Sequence, residues 1–333
     1  MGFSLATFNV RDLFDDVRPH VIGQLDRDGF NIWAQRRART LYGRKLEAVA
    51  AMVARADADV VALQEVEGQV VLEALRGVVA PYGYTAAVVG AQDERGISCG
   101  VLSRLPVQSS EVHGVGELAF PVFAEGDQRP FSGRLRSRRG VLEVNVTLPD
   151  GGALCLLVVH LKSARALPRL DAAGNPLEAE GHYGAAEGAA RAVVVRLAEA
   201  LQVRSLVEAR LMRDSRAQLA VLGDFNDTPG SVVLRSIAGE LAEPPRGRGS
   251  DLEAATVLEA GVLFHCARSV PAEARYTIVY RGVGQQVDHV LVSRALWRRF
   301  RGARILNEYL KDGQAEGRED VESDHAPLVA TFA

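Results

Sequence analysis

The segment Leu219-Ala220-Val221-Leu222-Gly223-Asp224-Phe225-Asn226-Asp227 joins two halves that do not belong together in an ordinary strand. Its first half is an unbroken apolar run, as expected of a strand buried on both faces or in a sandwich core. Its second half supplies two carboxylates and an amide. Burying such groups without partners is costly, so a strand that ends this way is aimed at something polar. The same layout recurs outward in both directions. Asn9 closes the run that starts at Phe3, Glu65 follows Val60-Val61-Ala62-Leu63-Gln64, and His160 ends the run from Leu154. Asp288 lies inside Gln286–Val292, and Asp324-His325 precedes the last apolar run. One polar strand end is a cap or an accident of a loop. Repetition on this scale predicts a single converging site.

The runs that read as strands are Phe3–Asn9, Val60–Leu63, Ile97–Leu102, Val141–Leu148, Leu154–His160, Leu219–Gly223, Arg275–Tyr280, Val287–Val292 and Ala326–Phe332. Two helices are legible. Leu46, Val49, Ala50 and Val53 keep helical spacing, as do Ala190, Val193, Val194, Leu197 and Leu201 within a helix expected from Glu187 to Met212. The connections 11–35, 105–133, 163–184 and 240–272 are long and rich in Gly, Pro, Asp and Arg. Loops of that length on a compact scaffold tend to carry function. No linker separates two self-contained cores and no repeat is visible. The expectation is one α/β domain over 1–333, with two sheets face to face and helices outside.

Composition narrows the class. With 333 residues, 47% of them hydrophobic, the chain can build a large core without disulfides. Cys99, Cys155 and Cys266 form no paired framework, and Cys99 and Cys155 read as buried thiols. The longest apolar run, Ala153–Val159, is too short to span a bilayer, so membrane insertion is not expected. Met1 leads straight into a strand without a signal-peptide layout, so a cytoplasmic location is expected unless the chain was trimmed from a secreted precursor. A net charge of −3 argues against holding nucleic acid by bulk electrostatics. Of 39 basic residues only Lys45, Lys162 and Lys311 are lysines, so each lysine invites a geometric explanation.

The polar strand ends suit hard-metal chemistry. Glu65, Asp324 and Asn9 offer oxygen ligands of the kind that bind Mg²⁺ or Mn²⁺. Asp224 and Asn226 can set a base beside an orienting amide. His325 needs a carboxylate to fix its tautomer and support its cation, and Asp288 is the natural partner. Such an assembly hydrolyses a phosphoester through metal polarisation, an activated water and a cationic donor. Lys162 beside His160, and Arg95 and Arg104 flanking the Ile97–Leu102 strand, are candidate substrate contacts. His20, His113, His182 and His265 lie in loops and read as solvated or structural. Strand alternation turns His289 away from Asp288.

The set Thr7-Phe8-Asn9-Val10, Leu63-Gln64-Glu65-Val66, His160-Leu161-Lys162-Ser163, Gly223-Asp224-Phe225-Asn226-Asp227, Val287-Asp288-His289-Val290 and Ser323-Asp324-His325 resembles the endonuclease/exonuclease/phosphatase family, in the family's order. The resemblance implies a four-layered α/β/β/α sandwich of two mainly antiparallel sheets, with a divalent metal at one end. It makes Glu65 the principal metal ligand, supported by Asn9 and Asp324. It makes Asp224 the residue that orients or deprotonates the attacking water, Asn226 a phosphate contact and His325, paired with Asp288, another. His160 matches the second histidine of deoxyribonuclease-like members, and Asp93 or Glu94 is the nearest carboxylate to support it.

Substrate is read less directly. Gln285-Gln286 before Val287-Asp288 departs from the Trp-x-Asp-Arg stretch of inositol-lipid phosphatases and from the Arg of abasic-site endonucleases. His160-Leu161-Lys162-Ser163 with an Arg-bearing helix looks like bacterial nucleases of the family, many of them secreted. The expectation is therefore a nuclease acting on DNA or RNA, with no obligate protein partner evident. The alternatives are a phosphodiesterase or phosphatase for a small-molecule or lipid phosphoester, and a non-catalytic binder of phosphorylated ligands. An apolar loop, Ala119–Phe123, is the one feature a lipid enzyme would want. Two arginine clusters, Arg134/Arg136/Arg138/Arg139 and Arg294/Arg298/Arg299/Arg301/Arg304, would follow a phosphate backbone if either bordered the cleft; a solvated face is the competing reading.

Overall fold

The computed structural model describes residues 2–15, 30–120, 135–171, 176–177, 180–241, 261–312 and 321–333, with 30–40 as backbone. Twelve strands form two six-stranded sheets. The first takes β1 (Phe3–Leu13), β2 (Val60–Val66), β3 (Ala86–Val89) and β4 (Ser98–Ser103). The second takes β5 (Val107–His113), β6 (Val141–Thr147), β7 (Ala153–His160), β8 (Gln218–Asp224), β9 (Phe264–His265) and β10 (Asp288–Val292). The chain then returns to the first sheet with β11 (Phe300–Ile305) and β12 (Leu328–Phe332). The orders are β11-β12-β1-β2-β4-β3 and β9-β10-β8-β7-β6-β5. Neighbours run antiparallel except β1 with β2 and β7 with β8. Each sheet thus has one parallel pair whose strands end on the same side.

Helices cover the outer faces. α1 (Phe30–Ala56) and α2 (Gln69–Val79) bury Val49, Val53, Leu72 and Leu75 against the first sheet. α3 (Gly181–Arg213) and α4 (Val232–Ala238) bury Val203, Val207, Leu234 and Ile237 against the second. Between the sheets lies a layer fed by alternate residues: Phe3 and Leu5, Val60 and Ala62, Leu156 and Val158, Ala220 and Leu222, Val290 and Val292. Continuing each series to the site end gives Asn9, Gln64, His160, Asp224 and Asp288. The polar strand ends therefore occupy the final rung of the inner faces. No helix among the described residues is long and apolar enough to cross a membrane.

The nine expected strands are present with small boundary shifts, and the expected fold class holds. Arg275–Tyr280 shortens to Ile278–Tyr280, which pairs with Val283–Gln285 outside both large sheets. The strands of these sheets missed in the sequence, β3, β5, β9 and β11, are the four sheet edges. An edge strand such as Val107-Gln108-Ser109-Ser110-Glu111 needs no apolar run, so the pattern does not announce it. α1 begins at Phe30, well inside the segment read as a connection, and α3 begins six residues before Glu187. Cys99, Cys155 and Cys266 are all buried free thiols.

Candidate active site

The last rung of the second sheet places His160 beside Asp224 and Asp224 opposite Asp288. Gly223 makes this approach possible. Its φ is +149°, and a Cβ there would lie 1.9 Å from the Val159 carbonyl oxygen. On the first sheet a register shift between Gln64 and Val66 leaves Glu65 unpaired with φ +67°. That bulge turns a carboxylate into the gap between the sheets. Asn226 (φ +52°), Arg11 (φ +53°) and Asp12 (φ +51°) also hold left-handed conformations beside the gap. Strained backbone concentrated around one rung is typical of a site where geometry is imposed by function.

Hydrogen bonds join the two sheets here. The Asn9 side-chain amide donates to Glu65 Oε1 at 3.2 Å and to Asp224 Oδ2 at 3.0 Å, while Asn9 Oδ1 accepts the Arg11 N–H at 2.9 Å. Glu65 Oε2 accepts the Asp12 N–H at 3.0 Å. Asp224 Oδ1 accepts the Asn226 N–H at 2.8 Å, and the Asn226 side-chain amide donates to Asp224 Oδ2 and to the Leu161 carbonyl. His325 Nδ1 lies 2.7 Å from Asp288 Oδ2, and its Nε2 points toward Asp224 Oδ2 at 4.0 Å. His160 Nε2 stands 3.7 Å from Glu65 Oε1 and 3.6 Å from Asp224 Oδ2. Ser323 ties the last loop to β1 by donating to the Asn9 carbonyl and accepting the His325 N–H.

Charge states follow from burial and neighbours. Burial, with the charge of Asp288 next to it, raises the Asp224 carboxyl to about 7; His325, the Asn226 N–H and the Asn9 amide oppose this. Burial works against the His325 cation, but the charge and hydrogen bond of Asp288, with Asp224 and Asp324 adding, raise it to about 10. His160 is pushed the other way, well below the usual histidine range, by burial and then by Arg139, His325 and Arg95. One rung thus holds a carboxylate poised near neutrality, an imidazolium and a neutral imidazole. Opposed protonation states in one cleft are the mark of acid–base chemistry.

A family model for the Endonuclease/Exonuclease/phosphatase family matches residues 29–325 of the sequence. The chain belongs to the Endonuclease/Exonuclease/phosphatase family. Its fold is shared with solved structures at low identity. The human Nocturnin catalytic domain with bound sulfate superposes at a TM-score of 0.55 and 13% identity, over 100% of this chain and 94% of that one. A truncated Caenorhabditis elegans TDP2 gives 0.54 and 14%, over 100% and 97%. The 3′ phosphatase NExo from Neisseria, bound to a product DNA hairpin, gives 0.53 and 19%, over 99% of each chain. No curated protein matches the sequence. The family comprises phosphoester hydrolases, including nucleases, phosphatases and phosphodiesterases, and these enzymes generally use divalent metals.

The donor set fits a hard cation. Glu65, Asp224 and Asp324 bring carboxylate oxygens to one cleft, and the buried Asp288 Oδ1 has no hydrogen-bond partner among the described residues. Ligand atoms of Asp224, Asp288 and His325 also lie within 4.8 Å of one another. Because His325 Nδ1 already faces Asp288, that pair is arranged as a hydrogen-bonded dyad, leaving Glu65, Asp324 and Asp224 as the oxygen donors. Asn9 turns its amide N–H groups, not its oxygen, toward the carboxylates. It bridges Glu65 and Asp224 across the sheets.

The remaining sequence candidates divide clearly. Arg95 reaches the cleft rim, where its charge acts on Asp12, His160 and Lys162, and it pairs with Asp93 at 3.4 Å. Lys162 turns its ammonium onto its own loop, donating to Ser163 O, Ser163 Oγ and Arg165 O. Arg104 is a correction: it pairs with Asp57 at 2.7 Å and stacks on Tyr84 beside the start of β2. Glu65 is at the other end of β2, about 20 Å away at strand rise. Asp93 does not support His160; it holds Arg139 and accepts the Arg95 and Ile97 N–H groups, while Glu94 pairs with Arg138. His160 Nδ1 has no hydrogen-bond partner among the described residues.

Arg138 and Arg139 therefore stand beside the cleft, and Arg134 lies outside the described residues. The second arginine cluster does not border the cleft. Arg299 binds Gln218, Asp150 and the Ala333 carbonyl at the opposite end, and Arg304 binds the Ala56 carbonyl. His289 is buried on the outer face, bonded to Gln286 and the Asp227 carbonyl. His265 is buried, His113 pairs with Glu143, His182 is exposed, and His20 lies outside the described residues. Ala119 and Phe120 line a groove on α3 with Leu201; the rest of that loop lies outside the described residues.

Sequence reading missed the supports. Glu199 accepts the Lys162 N–H at 2.7 Å, and Arg196 binds Asp227 at 2.8 Å and the Lys162 carbonyl at 3.0 Å. These α3 residues fasten the 161–163 and 225–227 turns to each other. Their only signal was two charges on an otherwise apolar helix face. Asp12 was missed as well, although it stands three residues from Asn9 and donates its N–H to Glu65.

Proposed function

We propose that this chain is a divalent-metal-dependent phosphodiesterase, using Mg²⁺ or Mn²⁺, that cleaves nucleic acid. The observation that carries the reading is the single rung where Asp224, titrating near neutrality, faces the His325–Asp288 dyad on one side and Glu65 on the other. Glu65 and Asp324 would hold the ion, with Asp224 at its edge; when bound, it polarises the phosphoryl group and offsets charge that develops there. Asp224 Oδ2 takes the proton of the attacking water. The Asn226 and Asn9 amides fix that carboxylate in place. His325, kept cationic by Asp288, donates from Nε2 to a phosphoryl oxygen and stabilises its growing negative charge. Neutral His160 lies between Glu65 and Asp224 and adds no positive charge that would oppose the ion.

Nucleic acid is favoured over a compact phosphoester by the cations at the rim. Arg95 and Arg138 are exposed beside the cleft and could follow successive phosphates. Relatives of the same fold include one bound to a product DNA hairpin, which supports the same choice. The three free, buried cysteines support a reducing, cytoplasmic setting. The whole of 1–333 is read as one catalytic domain, since Asn9 and His325 belong to the same cleft.

Plasmid DNA, single-stranded DNA, RNA and a small chromogenic phosphodiester, each with Mg²⁺, Mn²⁺ or chelator, form the deciding panel. Metal-dependent cleavage of a nucleic acid is expected, with chelator abolishing it. Turnover of the small diester alone would keep the enzyme and remove the nuclease. No turnover of any substrate would leave a binding protein.

A further inference from the structure

The Asp288–His325 dyad spans the sandwich. Asp288 opens β10 in the second sheet, whereas His325 stands just before β12 in the first. Their side chains nevertheless meet at 2.7 Å. A carboxylate can only accept, so His325 Nδ1 carries the proton between them. Thr277, fully buried, lies between the two backbone segments and bonds to both. Its Oγ1 accepts the N–H groups of Val287 and of Asp288 itself, each at 3.1 Å. Its carbonyl accepts the Ala326 N–H at 2.8 Å, and the next residue, Ile278, forms an isolated antiparallel bridge with His325. The Val287 carbonyl in turn accepts the Phe225 N–H at 2.9 Å, directly after Asp224. Buried N–H groups need acceptors, and backbone carbonyls are the usual ones. Here two successive N–H groups share one side-chain oxygen and occupy both of its lone pairs. Branching at Cβ restricts χ1, so that oxygen has little freedom to move.

We propose that Thr277 is a positioning residue for the dyad: its hydroxyl fixes where Asp288 begins, its carbonyl fixes the segment that carries His325, and the two together set the carboxylate–imidazole distance across the sheets. The inference rests on the reading that His325 is the donor to the phosphoryl group. Proton NMR of the full chain, with ¹⁵N-labelled histidine and no substrate, reads the dyad directly. The His325 Nδ1 proton should lie far downfield of the backbone amides, as expected of a short charge-assisted hydrogen bond, and its loss in His325→Ala assigns it. Thr277→Val keeps the shape but deletes the acceptor, and should move this resonance upfield or abolish it. Thr277→Ser keeps the oxygen and should restore it. With Mn²⁺ and the small chromogenic phosphodiester, Thr277→Val should lower kcat at least about tenfold with KM within about twofold, the cost of a misplaced catalytic group. Thr277→Ala carries the same expectation, so one variant that fails to fold leaves the comparison intact. Folded variants that lose only melting temperature, with resonance and kcat unchanged, overturn the role of Thr277. If the unmodified protein turns over no phosphoester, the functional reading falls, while a resonance that still follows the Val and Ser variants supports the positioning. Absence of the resonance in the unmodified protein overturns the dyad, and this inference with it.

Discussion

At the scale of single residues, the candidate site holds Asp224 and His325 in states that neither would adopt in water. In the proposed mechanism Asp224 must lose its proton to act as a base, so activity should rise with pH through about 7, or lower once a bound cation favours the carboxylate. His325 as the proposed cationic donor must keep its proton, so activity should fall only near 10. Asp288→Asn removes the charge that raises His325. The alkaline limb should then move down toward the ordinary histidine value of about 6.5, measurable as a shifted kcat/KM profile. A limb that stays near 10 would exclude His325 as the cationic donor. Glu65→Ala and His325→Ala should each lower kcat by a factor of about 10³ or more, with the fold intact by circular dichroism. Every one of these residues was legible, because a polar group at the end of an apolar run is an anomaly that a sequence displays. Their hydrogen-bond partners were not: nothing local says that Asn9 bridges Glu65 and Asp224.

Elements place those residues, and two of them do so through features with a measurable cost. β8 approaches β7 closely because Gly223 has no side chain. Gly223→Ala should therefore destabilise the protein by about 3 kcal/mol or more in urea denaturation, through clash with Val159 and a φ that alanine avoids. α3 contributes Arg196 and Glu199, whose bonds fasten the two turns that carry His160 and Asn226. Arg196→Ala leaves Asp227 without its cation in a half-buried setting, and a loss of about 3 kcal/mol with reduced turnover is expected. Retained stability with full activity would show that the turns hold themselves. Strands buried on both faces were readable because they are continuous apolar runs. The edge strands were not: in β5 and β11 partial exposure lets polar residues interrupt the alternation, while β3 (Ala86–Val89) and β9 (Phe264–His265) are too short for a pattern to show.

Over the whole molecule, the two ends of the sandwich divide the arginines by role. Arg95 and Arg138 stand at the cleft, whereas Arg104, Arg299 and Arg304 serve the far end. If the substrate is a nucleic acid, Arg95→Ala with Arg138→Ala should raise KM and flatten its dependence on salt, while Arg104→Ala leaves both unchanged. Equal effects at both ends would point to bulk charge rather than a track. What the sequence determined by itself was the alternation of each strand, and hence that Asn9, His160, Asp224 and Asp288 continue inward-facing series. That information is local, since successive residues of a strand must face opposite ways. The tertiary structure alone decided which series meet. Only the packing of one sheet on the other brings Glu65 to Asp224 and sends Arg104 to the opposite end, because such contacts depend on strand order and sheet facing, which no single segment encodes.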